Sequence, residues 1–317
     1  MTALVTGVAG FIGSHLAEAL VDRGEEVIGV DSFLDYYSRE LKEANLALLV
    51  ESPRFTLIEK PLQHMDLEVL LARVEVVYHL AAQAGVLASW GKDFSIYTDN
   101  NILATQRLLE AAVRRPPTAF VYASSSSVYG DVTELPMRES SPLNPVSPYG
   151  VSKLAVEKLC YLYSANHAVR TVGLRYFTVY GPRQRPDMAF HRLFSRARDG
   201  EEFPLFGDGL QTRDFTYVSD AVQATLAAAD RGRPGSVYNI GGGARVSLLE
   251  VFREVESITG VKLRLRREPA QKGDMRDTFA DTTAALTDLD YRARVGLRQG
   301  LEAEWNWLKT PVARPGL

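Results

Sequence analysis

A glycine-rich turn near the start of the chain limits the possible folds more than any other feature. Gly7, Gly10 and Gly13 form a GxxGxxG pattern between an apolar strand pattern at 3–7 and a helical pattern at 11–24. Glycines at this spacing allow a tight turn, close approach of the backbone to a pyrophosphate and close packing of helix on strand. The free N–H groups of the helix N-terminus then favour an anion. Alone, the pattern also fits a simple tight turn.

A second strand that ends in an acidic residue supports the dinucleotide interpretation. Residues 26–31 form an apolar run that ends at Asp31, about 20 residues after the glycines. A carboxylate there can accept hydrogen bonds from both hydroxyls of an adenosine ribose and would repel a 2′-phosphate, which favours NAD over NADP. A turn or helix cap is the alternative role for Asp31.

Strand and helical patterns alternate over the following part of the chain. Strand patterns occur at 55–59, 74–82, 119–125 and 171–177, and helical patterns at 101–115 and 149–165. This alternation predicts an α/β fold with a Rossmann-type, doubly wound parallel sheet.

The sequence changes character after residue 180. The runs GPRQRPD and GDGLQTRD predict loops, and helical patterns resume at 219–231 and 247–260. We therefore expect an NAD-binding domain at 1–180 and a smaller C-terminal substrate-binding domain at 181–317, with some chain returning to the main sheet.

Tyr149 and Lys153 form a candidate general base. They lie four residues apart at the start of a predicted helix, so they share one face. An ordinary tyrosine pKa of about 10 makes a poor base, but an ammonium one turn away and a nicotinium cation would favour the phenolate. The strand pattern at 119–125 runs into the serines 124–127, at the sheet edge where such folds bind ligands. Their hydroxyls suit a sugar or a capped polar loop.

Composition favours a small-molecule partner. The 317 residues are 46% hydrophobic and 24% charged, with a net charge of -3, unlike the clustered Lys and Arg of proteins that bind nucleic acid or acidic membranes. The lone Cys160 predicts a buried structural thiol, and five scattered histidines predict no metal site. His79, in an apolar strand pattern, is expected to pack in the core. Without a membrane-length apolar run or a basic leader, we expect a cytoplasmic protein.

The ordered motifs GxxGxxG, SSSSVYG and YxxxK resemble the extended short-chain dehydrogenase/reductase family, in its nucleotide-sugar epimerase and dehydratase branch. HLAAQAG, LRYFTVYGP, GDGLQTRDFTYVSD, YNIGGG and GDMRDTFAD extend the resemblance over nearly the whole chain. It implies bound NAD and a homodimer formed through the helices near 101–115 and 149–165. It also implies that Tyr149 takes the proton of a sugar 4-OH, Lys153 holds the nicotinamide ribose and Ser125 binds O4, giving a transient 4-keto sugar.

The resemblance implies the following cofactor-binding residues: Gly7, Gly10, Phe11, Ile12, Gly13, Asp31, Ser32, Leu80, Ala81, Ala82, Gln83, Tyr149, Lys153 and Tyr176. Two positions depart from the family pattern. Pro61 stands where an adenine-contacting Asp is usual, and Leu87 stands where glucuronate epimerases commonly have Arg.

The residues after the catalytic serine separate the possible reactions. A 4,6-dehydratase of this branch has Asp-Glu where this chain has Ser126 and Ser127, and a decarboxylase usually has Glu at the latter position. Thr178 stands where UDP-glucose epimerases have Asn, and the run FTVYGPRQRPDMA resembles UDP-glucuronate 4-epimerases. We therefore expect the interconversion of UDP-glucuronate and UDP-galacturonate. A UDP-glucose or other nucleotide-sugar epimerase and a non-catalytic NAD-sensing module are the alternatives.

The expected substrate site contains hydroxyls, guanidinium groups and one aromatic ring. Neutral donors and a guanidinium would grip a C5 carboxylate and keep the 4-keto uronate from losing CO₂. The resemblance assigns diphosphate binding to Arg213 and Arg276 and uracil stacking to Phe206. The full set is Ser125, Ser126, Ser127, Thr178, Arg185, Phe206, Arg213 and Arg276.

Overall fold

The computed structural model describes residues 1–132, 134–269, 273 and 275–313. The strands are β1 (Thr2–Thr6), β2 (Glu26–Asp31), β3 (Phe55–Glu59), β4 (Val76–His79), β5 (Ala119–Ser125), β6 (Thr171–Tyr176), β7 (Val179–Tyr180), β8 (Glu202–Phe206), β9 (Thr212–Asp214), β10 (Thr216–Tyr217), β11 (Ser236–Ile240), β12 (Arg245–Ser247) and β13 (Arg264–Glu268).

The α-helices are α1 (Phe11–Asp22), α2 (Arg39–Leu46), α3 (Leu67–Leu71), α4 (Phe94–Tyr97), α5 (Ala104–Arg114), α6 (Pro148–His167), α7 (Ala189–Asp199), α8 (Val218–Arg231), α9 (Leu248–Thr259), α10 (Thr283–Leu289) and α11 (Leu297–Leu308). A π-helical segment, Thr98–Leu103, joins α4 to α5, and the short 3-10 turn Ser126–Val128 follows β5.

Seven strands of the described chain form one parallel sheet in the order β11-β6-β5-β4-β1-β2-β3. Their apolar residues are buried on both faces, as expected for strands covered by crossover helices. One core contains Leu16 and Leu20 of α1 with Val222 of α8, and the other contains Leu108 of α5 with Val156 of α6. The predicted doubly wound α/β fold is confirmed.

A further apolar cluster lies in the second half of the chain. Phe190 and Phe194 of α7 pack there with Phe203 of β8, Phe252 of α9 and Leu301 of α11. The sequence patterns did not predict helices α7 and α11 or the small sheets β8-β13 and β9-β12. The chain also returns to the main sheet, where β11 pairs with β6.

Two predicted elements differ in extent. The strand expected at 74–82 ends at His79, since the next residues turn into loop at the sheet edge. The helix expected at 101–115 begins with the π-helical segment, whose Asn101 side chain accepts from Gln83 N (2.7 Å) and donates to Ser152 Oγ (2.9 Å). The wider turn accompanies this inward-facing amide, which ties the helix to the loop after β4.

Candidate active site

A cavity of about 850 Å³ lies at the carboxyl ends of the parallel strands. It is lined by residues that follow β1, β2, β4, β5 and β6. The strand order reverses between β1 and β4, and such a switch point is the usual ligand site in open α/β sheets. The predicted residues that line it are Gly7, Gly10, Phe11, Ile12, Gly13, Asp31, Ser32, Leu80, Ala81, Ala82, Gln83, Ser125, Ser126, Ser127, Tyr149, Lys153, Tyr176, Thr178, Arg185 and Arg213.

The glycine turn brings backbone to backbone at one end of the cavity. A Cβ on Gly13 would lie 2.1 Å from the carbonyl oxygen of Gly7, and one on Gly7, whose φ is +72°, would lie 2.8 Å from Ala81 N. Larger residues would push the turn away from the sheet. Gly10 caps α1 without a side-chain hydrogen bond, and the first helical residues line the cavity. This arrangement fits a dinucleotide pyrophosphate.

Asp31 holds the turn and lines the cavity at the same time. Its Oδ2 accepts from Ala9 N at 3.0 Å and its Oδ1 from Phe33 N at 2.9 Å. Burial raises the pKa of Asp31, and these N–H donors oppose that rise. A carboxylate has about four acceptor positions, so ribose hydroxyls can still bind. The capping and ribose-binding roles are therefore compatible.

The part of the cavity where the resemblance places adenine departs from the family pattern. Pro61 lines the cavity where an adenine-contacting Asp was expected by resemblance, with Lys60 and Gln63 beside it. Tyr37 and Lys42 also line this part of the cavity, and Lys42 Nζ lies 4.7 Å from the centre of the Tyr37 ring. Sequence reasoning missed both residues, although their position soon after Asp31 was an available signal.

A group of polar residues at the ends of β5 and β6 and on α6 forms what we call the sheet-edge cluster: Ser124, Ser125, Tyr149, Lys153, Glu157 and Arg175. Arg175 donates to both oxygens of Glu157, at 2.9 and 2.8 Å, and both side chains are almost fully buried. Ser124 Oγ donates to the same carboxylate. The end of β5 is therefore tied to α6 by charged and hydroxyl groups.

Lys153 is buried in this cluster. Its Nζ donates to the carbonyl of Ala123 at 2.9 Å, at the end of β5. Burial lowers the pKa of Lys153 to about 8, against the opposing effects of Cys160 and Glu157. Lys153 therefore exchanges its proton near neutral pH, unlike an exposed lysine.

The groups that set the pKa of Tyr149 in the structure are not the ones expected from the sequence. It lies in the first turn of α6, which Ser147 caps by accepting from Gly150 N at 3.1 Å. Burial raises the pKa of Tyr149, and the groups that oppose the rise are the Arg185 charge and the Ser125 hydroxyl. Lys153 was expected to lower this pKa. In the structure its Nζ lies 6.0 Å from the centre of the Tyr149 ring and is bound to a backbone carbonyl.

The segment from 181 to 188, which we call the 181–188 loop, carries Arg185 to the cavity. Arg183 donates to Glu18 of α1 at 2.7 Å, and His15 Nε2 lies 3.0 Å from the carbonyl of Pro182. Burial and the nearby Arg183 lower the pKa of His15 to about 4, so its ring is neutral and donates to that carbonyl. The loop is thus anchored to the helix that begins at the glycine turn.

The serine run supplies neutral hydroxyls. Ser126 and Ser127 lie on the turn after β5, and Ser125 Oγ donates to Ser127 Oγ at 3.1 Å. Both serines are largely buried and line the cavity together with Thr178. The hydroxyls and the Arg185 guanidinium therefore border one space beside Tyr149.

The predicted nucleotide-binding residues come together only in part. Arg213 lines the cavity and donates to the carbonyl of Arg276 at 3.2 Å. Arg276 and the half-buried Phe206 lie outside the lining residues, and Arg276 forms a two-point ion pair with Asp208 at 2.7 and 2.9 Å. The roles proposed for Arg276 and Phe206 stay predictions.

Two expectations about buried groups are confirmed. His79 packs in the core, with ring nitrogens 2.8 Å from Thr6 Oγ1 and 2.9 Å from Thr105 Oγ1, and burial lowers its pKa to about 3. Cys160 is buried, which raises the pKa of its thiol.

Across the described ranges, no three His, Cys, Asp or Glu side chains are grouped to hold a metal ion. None of the helices in the described chain combines the length and apolarity needed to cross a bilayer.

Known proteins match the chain over almost its whole length. The model of the NAD dependent epimerase/dehydratase family matches residues 3–241. A Bacillus subtilis protein named "Uncharacterized UDP-glucose epimerase YtcB" is 46% identical, with 98% of each chain covered. The UDP-glucuronate 4-epimerase of Thermodesulfobacterium geofontis is 34% identical, covering 98% of this chain and 96% of that protein. The crystal structure of a Bacillus cereus UDP-glucuronic acid 4-epimerase with UDP-glucuronic acid and NAD is 44% identical, with a TM-score of 0.95 and coverage of 98% and 99%.

Proposed function

Because the chain belongs to the NAD dependent epimerase/dehydratase family, we propose that it is a UDP-glucuronate 4-epimerase. It would interconvert UDP-glucuronate and UDP-galacturonate through transient oxidation at C4, with NAD as its cofactor. The observation that carries the proposal is one shared cavity: Tyr149 and Arg185 both line the space beside the serine run, and the Arg185 charge opposes the rise that burial causes in the pKa of Tyr149.

The sheet-edge cluster supplies the proton transfer. Tyr149 accepts the proton of the sugar 4-OH, and Ser125 hydrogen-bonds O4. NAD, held by the glycine turn and Asp31, would supply a hydride acceptor for C4 and would act as the donor of the same hydride to the other face of the ketone. Lys153, with a pKa lowered to about 8, can exchange a proton near neutral pH. The same groups then reprotonate O4, so the sugar is released with its C4 configuration inverted.

The residues proposed around C5 suit a carboxylate. Ser126, Ser127 and Thr178 offer neutral donors, and Arg185 offers a guanidinium. A 4-keto uronate loses CO₂ when its carboxylate bond aligns with the carbonyl π system. Donors that hold the carboxylate away from that alignment favour epimerisation over decarboxylation.

A second candidate is an epimerase of neutral UDP-hexoses, favoured by the name of the Bacillus subtilis relative. Incubation of the purified protein with UDP-glucuronate and with UDP-glucose, each followed by ¹H NMR, separates the two. We expect new UDP-galacturonate signals at a rate at least about tenfold above the formation of UDP-galactose, because only the uronate pairs with Arg185. Turnover of UDP-glucose alone would reject the proposal, and turnover of neither sugar would favour a non-catalytic module.

The proposal includes a homodimer formed through α5 and α6. Val151 and Leu162 lie three turns apart on one face of α6 and are 48% and 51% exposed. Exposed apolar side chains on one helical face suit burial against a second copy. Light scattering should give twice the chain mass for the wild type and the chain mass for Leu162→Glu. A monomeric wild type at micromolar concentration would contradict the dimer.

We extend the proposal to location and domain division. The single buried Cys160 needs no oxidising compartment, which supports a cytoplasmic enzyme, and cell fractionation checks this.

In the proposed domain division, residues 1–180 would bind NAD and residues 181–317 would bind the nucleotide sugar, although β11 belongs to the main sheet. Hydrogen exchange with and without UDP-glucuronate should protect the segments around Arg185 and Arg213 in the second range, together with the serine run at the edge of the sheet.

A further inference from the structure

Asp187 occupies one edge of the Arg185 guanidinium. Arg185 Nε donates to Asp187 Oδ1 at 2.9 Å, and one terminal nitrogen donates to Oδ2 at 3.0 Å. The two residues are separated only by Pro186, whose ring fixes the backbone between them. A two-point pair of this kind fixes the plane of the guanidinium as well as its position. The other terminal nitrogen is left for a ligand in the cavity.

Tyr36 fixes Asp187 in turn. Its hydroxyl donates to Asp187 Oδ2 at 3.1 Å, and its ring centre lies 5.9 Å from the Arg185 guanidinium carbon. Burial and the Asp187 charge raise the pKa of Tyr36, so the hydroxyl keeps its proton and stays a donor. A Cβ on Gly85 would lie 2.4 Å from that hydroxyl, so the glycine leaves room for the contact. The loop after β2 therefore reaches over to the 181–188 loop.

We infer that Asp187, held by Tyr36, is a positioning residue that orients Arg185 toward the sugar C5 substituent and so sets the preference for a carboxylate there. This inference rests on the proposed function. The alternative is that Asp187 competes with the substrate for Arg185. We favour positioning because the pair uses only one edge of the guanidinium, and because Tyr36 and Pro186 hold Asp187 where it is.

The experiment measures the Kd of UDP-glucuronate and of UDP-glucose for the NAD-loaded protein by calorimetry. In Asp187→Asn an amide NH₂ faces the guanidinium donors and the two-point pair is lost. We expect the Kd of UDP-glucuronate to rise about tenfold, the loss of one hydrogen bond to a charged group, while that of UDP-glucose changes less than about twofold. Asp187→Glu should recover part of the loss. Tyr36→Phe should raise the Kd of UDP-glucuronate about threefold.

The matched control is Asp199→Asn. Arg198 donates to Asp199 at 2.7 and 2.8 Å, which is the same kind of two-point pair, but neither residue lines the cavity. We expect this variant to bind both UDP-sugars as the wild type does. In an Arg185→Met background, Asp187→Asn should cause no further loss, because its effect passes through the guanidinium.

The inference is overturned by equal losses for the two UDP-sugars, by tighter binding of UDP-glucuronate to Asp187→Asn, or by additive losses in the Arg185→Met background. A wild type that neither binds nor converts UDP-glucuronate overturns the proposed function together with this inference. If the wild type binds and converts UDP-glucuronate and the Kd of UDP-glucuronate is unchanged in Asp187→Asn, only the role of Asp187 is overturned.

Discussion

Two arginine–carboxylate pairs near the cavity are held very differently. In the sheet-edge cluster, Arg175 is 3% exposed and donates to Glu157, to the Tyr129 hydroxyl at 2.8 Å and to a backbone carbonyl. In the 181–188 loop, Arg185 is 20% exposed, and among the residues that the structure describes its hydrogen bonds go to Asp187. Arg175 uses four of its five guanidinium N–H groups in hydrogen bonds within the protein, whereas Arg185 keeps more of its donors for a ligand.

The difference separates chemistry from substrate choice. The buried pair fixes the strand end that carries Ser125 and the helix that carries Tyr149, which every sugar oxidised at C4 requires. The less buried pair lies, in the proposed complex, beside the C5 substituent, and the Arg185 charge also acts on Tyr149. Changes in the first region should affect all sugars or the stability of the fold, and changes at Asp187 should mainly affect sugars that carry a carboxylate at C5.

The largest expected effect comes from the reacting hydroxyl itself. Tyr149→Phe removes the general base, so turnover of every UDP-sugar should fall by about 10²- to 10⁴-fold, while the Kd of UDP-glucuronate changes little. NMR turnover assays and calorimetry check the two halves of this prediction. Tyr163→Phe, on the same helix with its hydroxyl bound to Glu110, is the matched control and should keep full activity. Equal turnover in Tyr149→Phe and the control would remove Tyr149 from the mechanism.

The next effect concerns the free energy of unfolding. Glu157→Ala leaves a buried guanidinium without its carboxylate and should cost about 3–5 kcal/mol, whereas Asp187→Asn, at a partly exposed pair, should cost less than about 1 kcal/mol. Urea denaturation of both variants at pH 7 measures the contrast. Replacing both Arg175 and Glu157 by Met should recover most of the loss, since neither charge of the pair stays buried without its partner. Equal costs at the two pairs would break the comparison.

A smaller effect of opposite sign is expected at Lys153. Its folded pKa of about 8 lies below the ordinary lysine value, so the buried ammonium costs free energy below pH 8, and the cost disappears as the pH rises toward 10.5. Lys153→Met should therefore stabilise the fold at pH 7 by on the order of 2 kcal/mol, after allowing for the lost hydrogen bond to Ala123, and by less at pH 10. Activity should be lost. Denaturation curves of the wild type and of Lys153→Met at pH 7 and pH 10 measure this difference. A variant that is less stable than the wild type at pH 7 would contradict the prediction.

Sequence patterns predict the sheet and place Tyr149, Lys153 and the serines 124–127 at its edge, because these features depend on local order along the chain. They did not identify the Arg175–Glu157 pair, which joins β6 to α6. Glycines in a strand-to-helix turn, and residues four apart on a helix, keep their relation wherever the rest of the chain goes. Arg185 and Asp187 are also near neighbours in sequence. Their joint use depends on the anchoring of the 181–188 loop to α1 through Arg183, a contact between distant segments that no local pattern predicts.

Other features depend on contacts between distant segments. The Tyr36 hydroxyl donates to Asp187, and Arg276 donates to Asp208, although the partners are far apart in the sequence. No local pattern predicts either contact. The pKa of Tyr149 follows burial and the placement of Arg185, which spacing to Lys153 does not reveal. The domain boundary at residue 180 stays a prediction, and β11 shows that chain order and spatial grouping differ.

The most direct measurement follows UDP-glucuronate and the NAD-loaded protein in D₂O by ¹H NMR. Because the hydride that leaves C4 is the one that returns, UDP-galacturonate should form with a full-intensity proton at C4 and no deuterium there. Deuterium at C4, or the absence of UDP-galacturonate while UDP-galactose forms from UDP-glucose, would contradict the account.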